Sequence, residues 1–259
     1  MKETRDKVLL IDGDMFLYRA ACAAEQEMRW DDDTWTLQTN MSEAKAEVDN
    51  QVSTIIKRLS SDEILLLFSP KRTFRHGLCS TYKSNRKAKR KPLGISELKD
   101  WMMAEYPSKM FPNIEADDAI GILATSDPDG CVAVSADKDF GTLPITWYNH
   151  QKDILKTTDV ADANYFHLVQ SLMGDTTDGY AGLKGVGPRT AEKILNKNGA
   201  YWETVVEAYE AKGMTSADAL LTARLAYILR CDDYDEDTHE VTLWVPTLKT
   251  KSNQIPFKC

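Results

Sequence analysis

Acidic side chains form the most suggestive pattern in this 259-residue chain. The stretch IEADDAIG, Ile114 to Gly121, sets Glu115, Asp117 and Asp118 at the front of an apolar run. Acids suit a helix N-terminus, where they face unpaired N–H groups and contribute roughly 0.3–1 kcal/mol each. Crowded together they repel one another, and burial would raise their pKa values unless a cation sits among them. Other acids follow apolar runs in the same way: Asp12 and Asp14 after VLLI, then Asp137 and Asp139 in VAVSADKDFGTL, joined by Asp175 and Asp178 in MGDTTDG. Carboxylates without His or Cys suit hard cations such as Mg²⁺ or Mn²⁺. Two such ions about 3.5–4 Å apart can activate water and stabilise the leaving oxygen of a phosphodiester. The expected cation is therefore a metal.

Two cationic patterns accompany the acids. Net charge is −8, yet Lys71 to Lys91 hold nine Lys or Arg residues and no acid, the footprint expected for a phosphate backbone. Within TYKSNRKAKRK, Lys83 and Arg86 share a face if the stretch is helical, and Tyr82 offers a ring on which a base could stack. The second pattern is GLKGVGPRTAEKIL. Its glycines at 182, 185 and 187 permit a tight hairpin with exposed N–H groups, Pro188 fits a first helical turn, and Arg189 and Lys193 add charge. Amides at a helix N-terminus bind phosphate without reading sequence.

The runs VLLI (Val8 to Ile11), ILLLF (Ile64 to Phe68) and VAVS (Val132 to Ser135) lack alternation, as expected of strands buried on both faces of a parallel sheet. Helical spacing marks Ser42 to Leu59, Ser96 to Tyr106 and Ala116 to Thr125. The alternation implies an α/β fold, whose chemistry belongs at the carboxyl ends of the strands. Helical patterns dominate later, so the expected organisation is a larger α/β domain over 1–163 and a smaller helical region over 164–259. That region is expected to end in a strand, EVTLWVP (Glu240 to Pro246), and an irregular tail, with DDYDED (Asp232 to Asp237) as a solvated loop. Five scattered cysteines without C-x-x-C spacing favour neither a disulfide framework nor a zinc site. The N-terminal apolar run is too short for a signal peptide and no run approaches a membrane span, so a cytoplasmic protein is expected.

VLLIDGD, YKSNR, EADD, SADKDF and MGDTTDGYAGLKGVGPRTAEKIL occur in the order and approximate spacing of the 5′-nuclease family of flap endonucleases and 5′ to 3′ exonucleases. The chain resembles stand-alone bacteriophage members over roughly Val8 to Leu195. The resemblance implies a PIN-like fold, a mostly parallel sheet flanked by helices, followed by a helix-three-turn-helix element of the helix-hairpin-helix type. It implies two Mg²⁺ ions, with Mn²⁺ as substitute, and K⁺ at the glycine hairpin. Asp12, Glu115 and Asp117 would surround the first metal, and Asp137, Asp139, Asp175 and Asp178 would lie at or near the second, with Asp118 in support. Lys83 and Arg86, in a basic arch over about 71–109, would steer the scissile phosphate. DNA contacts are expected from Tyr82, Lys87, Lys89 and Arg90 in the arch, and from Lys184, Gly185, Gly187, Arg189, Thr190 and Lys193 at the hairpin. The implied partner is DNA with a 5′ end, flap or junction, bound by a monomer working beside replication proteins. One position departs: Ser69 stands where the family usually carries an Asp, which bears on the strength of the first site.

A haloacid-dehalogenase-type phosphatase is the rival enzyme, since IDGDM offers a D-x-D after a strand and Asp12 as nucleophile. It leaves the basic segment and glycine hairpin without a role. A DNA-binding protein that has lost catalysis is favoured by Ser69 and opposed by the retained acids. Incubation with 5′-labelled DNA and Mg²⁺ separates the three.

Overall fold

The protein, seen here as a computed structural model, is described over residues 7–247. It begins with strand β1 (Val8–Asp12), helix α1 (Gly13–Ala23), a hairpin of β2 (Glu25–Arg29) and β3 (Trp35–Thr39), and helix α2 (Met41–Leu59). Strand β4 (Ile64–Leu67), the short helix α3 (Arg75–Leu78), α4 (Ile95–Glu105), β5 (Ser108–Lys109) and α5 (Ala116–Ser126) follow. Strands β6 (Cys131–Val134), β7 (Thr146–Asn149) and β8 (Ile154–Thr157) complete the sheet. Beyond it lie α6 (Val160–Met173), the two-residue strands β9 (Gly174–Asp175) and β10 (Tyr180–Ala181), α7 (Pro188–Asn198), α8 (Trp202–Glu210) and α9 (Ser216–Ala226).

The central sheet has the order β5-β4-β1-β6-β7-β8 and is parallel except at the β8 edge. Its apolar strands are buried on both faces. Leu9 and Ile11 of β1 point into a core shared with α1, α2 and α4, while Leu10 points into a core shared with α5. Burying each such side chain contributes about 1.5–3 kcal/mol. A third core joins α6, α7, α8 and α9. The mostly parallel sheet flanked by helices is the architecture that the sequence pattern implies. No helix among the described residues is long and apolar enough to cross a membrane.

Two elements differ from expectation. The β2–β3 hairpin has no apolar alternation to announce it, and its outer end exposes Trp30 and Trp35. Glu240 to Pro246 forms no strand beyond a single bridge between Tyr234 and Val241. Instead Trp244 packs edge-on against His167 and Trp202, so its apolar residues satisfy a helical core and not a sheet edge. The acidic loop is likewise anchored, because Tyr234 is buried and donates to the Pro112 carbonyl. From residue 248 the expected tail lies outside the described residues.

Candidate active site

Strands β4, β1 and β6 lie side by side and parallel, so their carboxyl ends share one edge. Asp12 closes β1 and caps α1, accepting from the Met15 amide at 3.2 Å. Its other oxygen accepts from the Ser135 hydroxyl at 3.1 Å, and that hydroxyl accepts from the Asp137 amide at 3.2 Å. Ser135 thus ties the ends of β1 and β6 together. Burial, reinforced by Asp14, pushes the Asp12 carboxyl up to about 7. Asp14 accepts from the Ser69 amide at 2.8 Å, and Ser69 Oγ accepts from the Ala116 amide at 3.0 Å. Ser69 therefore satisfies a free N–H at the start of α5, where a carboxylate would do the same with added charge.

The acids of IEADD sit at that helix start, and the chain's own cations meet part of their charge. Arg75 is 2% exposed and Asp118 is fully buried. The guanidinium grips both Asp118 oxygens, at 2.5 and 2.7 Å, in the bidentate form that suits Arg. Asp118 also accepts from the Glu115 amide at 3.0 Å and the Leu229 amide at 3.1 Å. These bonds occupy all its lone-pair positions. Asp118, Glu115 and Asp117 each place an oxygen within 4.8 Å of the others, but Asp118 has nothing left to offer a metal. The supporting role expected of it is structural. Removing one partner of a buried pair of this kind costs about 3–5 kcal/mol.

Glu115 and Asp117 are the acids of this group with capacity to spare. Burial alone would raise Glu115, yet Arg75 and Lys83 outweigh it and hold the carboxyl below its usual range. Burial, with the charges of Asp118 and Glu115, holds Asp117 well above the usual range. Lys83 Nζ lies 2.7 Å from Glu115 and 3.7 Å from Asp178, a positive charge between two carboxylates. Arg86 pairs with Asp178 as well. Lys83 and Arg86 are thus brought to the acids, through a 3-10 turn over Ser84–Ala88 and not an α-helix.

The rest of the basic segment is less free than its charge suggests. Tyr82 is only 3% exposed, its ring stacks on Tyr180, and its hydroxyl donates to Glu115 at 2.9 Å and Asp178 at 3.2 Å. The ring face expected to receive a base is covered, because its hydroxyl is needed among the carboxylates. Arg90 makes a bidentate pair with Glu25 at 2.6 and 2.8 Å, joining the segment to the β2–β3 hairpin. Lys89 is exposed, and the Lys87 side chain lies outside the described part of the protein.

Asp137, Asp139 and Asp175 form a second group. Asp137 caps the 3-10 turn Lys138–Thr142 by accepting from the Asp139 amide at 2.9 Å. Burial raises Asp137, and burial with the neighbouring Asp137 charge pushes Asp139 up to about 7. Lys138 Nζ stands 3.6 Å from Asp139 and 3.8 Å from Asp175, and Gln170 of α6 donates to Asp139. Asp175 also accepts from the amides of Thr177 and Asp178, which fixes the turn carrying both acids. Sequence reasoning passed over Arg75 as one cation in a run, and over Ser135, Lys138 and Gln170 entirely. Of these only Lys138 carries a local signal, lying between two of the acids.

The glycine hairpin presents a different surface. Gly185 takes φ +80, and space is open around it and Gly187. Gly182 backs onto the end of α6, where an added Cβ would come within 2.3 Å of the Met173 carbonyl carbon. Pro188 starts α7, and Lys184, Arg189, Thr190 and Lys193 are all exposed. In contrast with the arch, no ion pair engages Lys184, Arg189 or Lys193 among the described residues.

Residues 7–165 match the family model for the N-terminal resolvase-like domain of 5′-3′ exonucleases. The chain is 29% identical to an exonuclease of Escherichia phage T7, covering 92% of this chain and 93% of that protein. It is 27% identical to a 5′-3′ exonuclease of Mycobacterium tuberculosis over 71% of this chain and 69% of that one. Among solved structures, its fold resembles a bacteriophage T5 flap endonuclease in complex with DNA and metal ions (TM-score 0.64, 15% identity, 85% of this chain and 88% of that one). A zinc-bound form of the T5 5′-exonuclease is similar, with TM-score 0.63 and 18% identity over 86% and 89% of the chains. A carboxylate-lined sheet edge beside a cationic segment, with the family model matched over well more than half of the chain, makes this protein a member of the 5′-3′ exonuclease family.

Proposed function

We propose that the protein is a divalent-metal-dependent DNA 5′-nuclease, acting as a 5′ to 3′ exonuclease, a flap endonuclease or both. The observation that carries this reading is the oxygen-only set of acids gathered at the carboxyl ends of β1 and β6 and the start of α5, where Glu115 is buried and Asp12, Asp117 and Asp139 are partly buried. Burial holds Asp12, Asp117, Asp137 and Asp139 above the usual carboxylate range. A bound cation would reverse that shift. Lys83, resting against Glu115 and Asp178, marks where positive charge is already favoured. The donor set therefore fits hard ions such as Mg²⁺ or Mn²⁺. Glu115, Asp117 and Asp12 would hold one ion and Asp137, Asp139 and Asp175 a second, with Asp178 between the groups. When bound, such ions lower the pKa of water and neutralise charge on the phosphate.

The protein's own groups supply the rest. Lys83 and Arg86 would leave their carboxylate partners and bind the scissile phosphate, orienting it for in-line attack. Water adds to phosphorus, the P–O3′ bond breaks, and the products are a 5′-phosphate and a 3′-hydroxyl. The helical region from 164 onward would hold the duplex, with Lys184, Arg189, Lys193, the Thr190 hydroxyl and the amides around Gly185 and Gly187 meeting backbone phosphates, and K⁺ at the hairpin carbonyls. Such contacts position DNA without reading its sequence. The test is product analysis on 5′-labelled blunt and 5′-flap duplexes with Mg²⁺. Mononucleotides identify exonuclease action and intact flaps identify junction cleavage; no cleavage of either substrate with Mg²⁺ or Mn²⁺ contradicts the reading.

A further inference from the structure

We infer that Arg75 is the positioning residue of the acid site: its guanidinium sets Glu115 at the start of α5 against the end of α9, and Asp118 serves Arg75 and not a metal ion. The inference rests on the metal-dependent reading above and identifies what holds one of its ligands in place. Arg75 has five N–H groups, and all are used. Nε donates to the Leu225 carbonyl at 3.1 Å and Nη2 to the Tyr227 carbonyl at 2.6 Å. Nη1 and Nη2 grip Asp118, and Nη1 reaches Glu115 at 3.4 Å. One buried group thus joins α3, the start of α5 and the last turn of α9.

A planar fork with every donor committed has a single orientation, which a lysine cannot reproduce. The bonds to Asp118 and the Tyr227 carbonyl are short, whereas the one to Glu115 is the longest of the set. Glu115 is therefore aligned by Arg75 without being consumed by it. Asp118, held by Arg75 and the Leu229 amide, also accepts from the Glu115 amide and so fixes the backbone from which Glu115 projects. The same unit ties α5 to the chain leaving α9, so the helical layer that carries α7 keeps a constant relation to the acids.

The variant Arg75→Lys retains the charge and removes the fork, which isolates geometry from electrostatics. Mn²⁺ binding is measured by calorimetry without DNA, well below the melting temperature of each protein, beside the Mg²⁺ midpoint of single-turnover cleavage. Disturbing groups that orient metal ligands typically weakens affinity 10–100-fold, so Arg75→Lys is expected to bind Mn²⁺ at least about tenfold more weakly and to need more Mg²⁺. A folded variant that melts earlier but binds Mn²⁺ as the wild type does would reduce Arg75 to a structural role and overturn the inference. Tighter binding would also overturn it, since Asp118 would then be a ligand that Arg75 withholds. Should Arg75→Lys not fold, the apolar pair Arg75→Met/Asp118→Leu replaces it, because buried ion pairs often tolerate such exchange, and the same loss of Mn²⁺ affinity is expected. A wild-type protein that binds no Mn²⁺ and cuts no DNA would instead remove the metal reading itself, and this inference with it.

Discussion

Lys83 rests on carboxylates in the free protein, and the proposed mechanism moves it to the phosphate of the bound substrate. Its ammonium rests on Glu115 and Asp178, the latter shared with Arg86. If its task lies with the substrate as proposed, Lys83→Ala should lower single-turnover cleavage by about a hundredfold, the low end of what such electrostatic stabilisation contributes. The Mg²⁺ midpoint should not rise, since a competing cation has been removed. Cleavage at the wild-type rate, or a raised midpoint, would take the phosphate role away from Lys83. Ser69 poses a separate question. Its hydroxyl accepts from the Ala116 amide beside Glu115 and Asp117, close enough for a carboxylate there to cap the helix and add charge to the first group. Ser69→Asp should therefore lower the Mg²⁺ concentration for half-maximal cleavage and change turnover little. A titration giving an unchanged or higher midpoint would mean that residue 69 does not contribute to metal binding.

At the scale of elements, the turn before α7 depends on Gly182, whose missing Cβ lets the chain back directly onto the end of α6. Gly182→Ala would force main chain apart, which at overpacked sites costs about 1–3 kcal/mol. Thermal melting should show that loss, with weaker duplex binding because the amides proposed to meet phosphate would shift; unchanged melting and binding would show that the turn tolerates a side chain. The strands β1, β4 and β6 were legible because burial on both faces demands uninterrupted apolar runs. Helices α2, α4 and α5 were legible because a one-sided core imposes helical spacing. The β2–β3 hairpin was not, since a solvated ribbon stabilised through Glu25 and Arg90 needs no apolar pattern. Trp244 misled because burial against His167, Trp202 and Tyr227 selects the same residue types as a sheet. The acids of the candidate site were readable from their recurrence after strands. Arg75 was not, because a buried fork and a solvated surface arginine are written with the same letter, and its partners lie 40 to 152 residues away.

For the whole molecule, two partly buried acids set how stability follows pH. Asp12 and Asp139 titrate near 7 in the folded protein against 3.8 unperturbed, so the native state retains protons that the unfolded chain has lost. Their contribution is complete below about 4 and is lost as pH rises through 7. His150 and His167, lowered to about 4 by burial, act oppositely between about 4 and 6.5, because only the unfolded chain protonates there. Above 6.5 the histidines of the unfolded chain lose their remaining protons, and the larger proton difference of the two acids outweighs them. Without divalent ions the melting temperature should therefore fall from pH 6.5 to 8, and Mg²⁺ should reduce the fall by binding the ionised native carboxylates. Calorimetry showing a rise over that interval would contradict the burial of these acids.

Asp137 offers the most direct test of metal-dependent cleavage, because it belongs to the second acid group and its amide bond to Ser135 does not depend on its side-chain charge. Asp137→Asn preserves size and the capping acceptor while removing a charge from the proposed second metal site. The measurement is single-turnover cleavage of a 5′-labelled flap duplex at saturating Mg²⁺, beside binding of the same duplex in the absence of cleavage. Cleavage is expected to fall by at least about a hundredfold, with duplex affinity equal to or above that of the wild type. Cleavage near the wild-type rate with intact binding would contradict the metal-dependent reading.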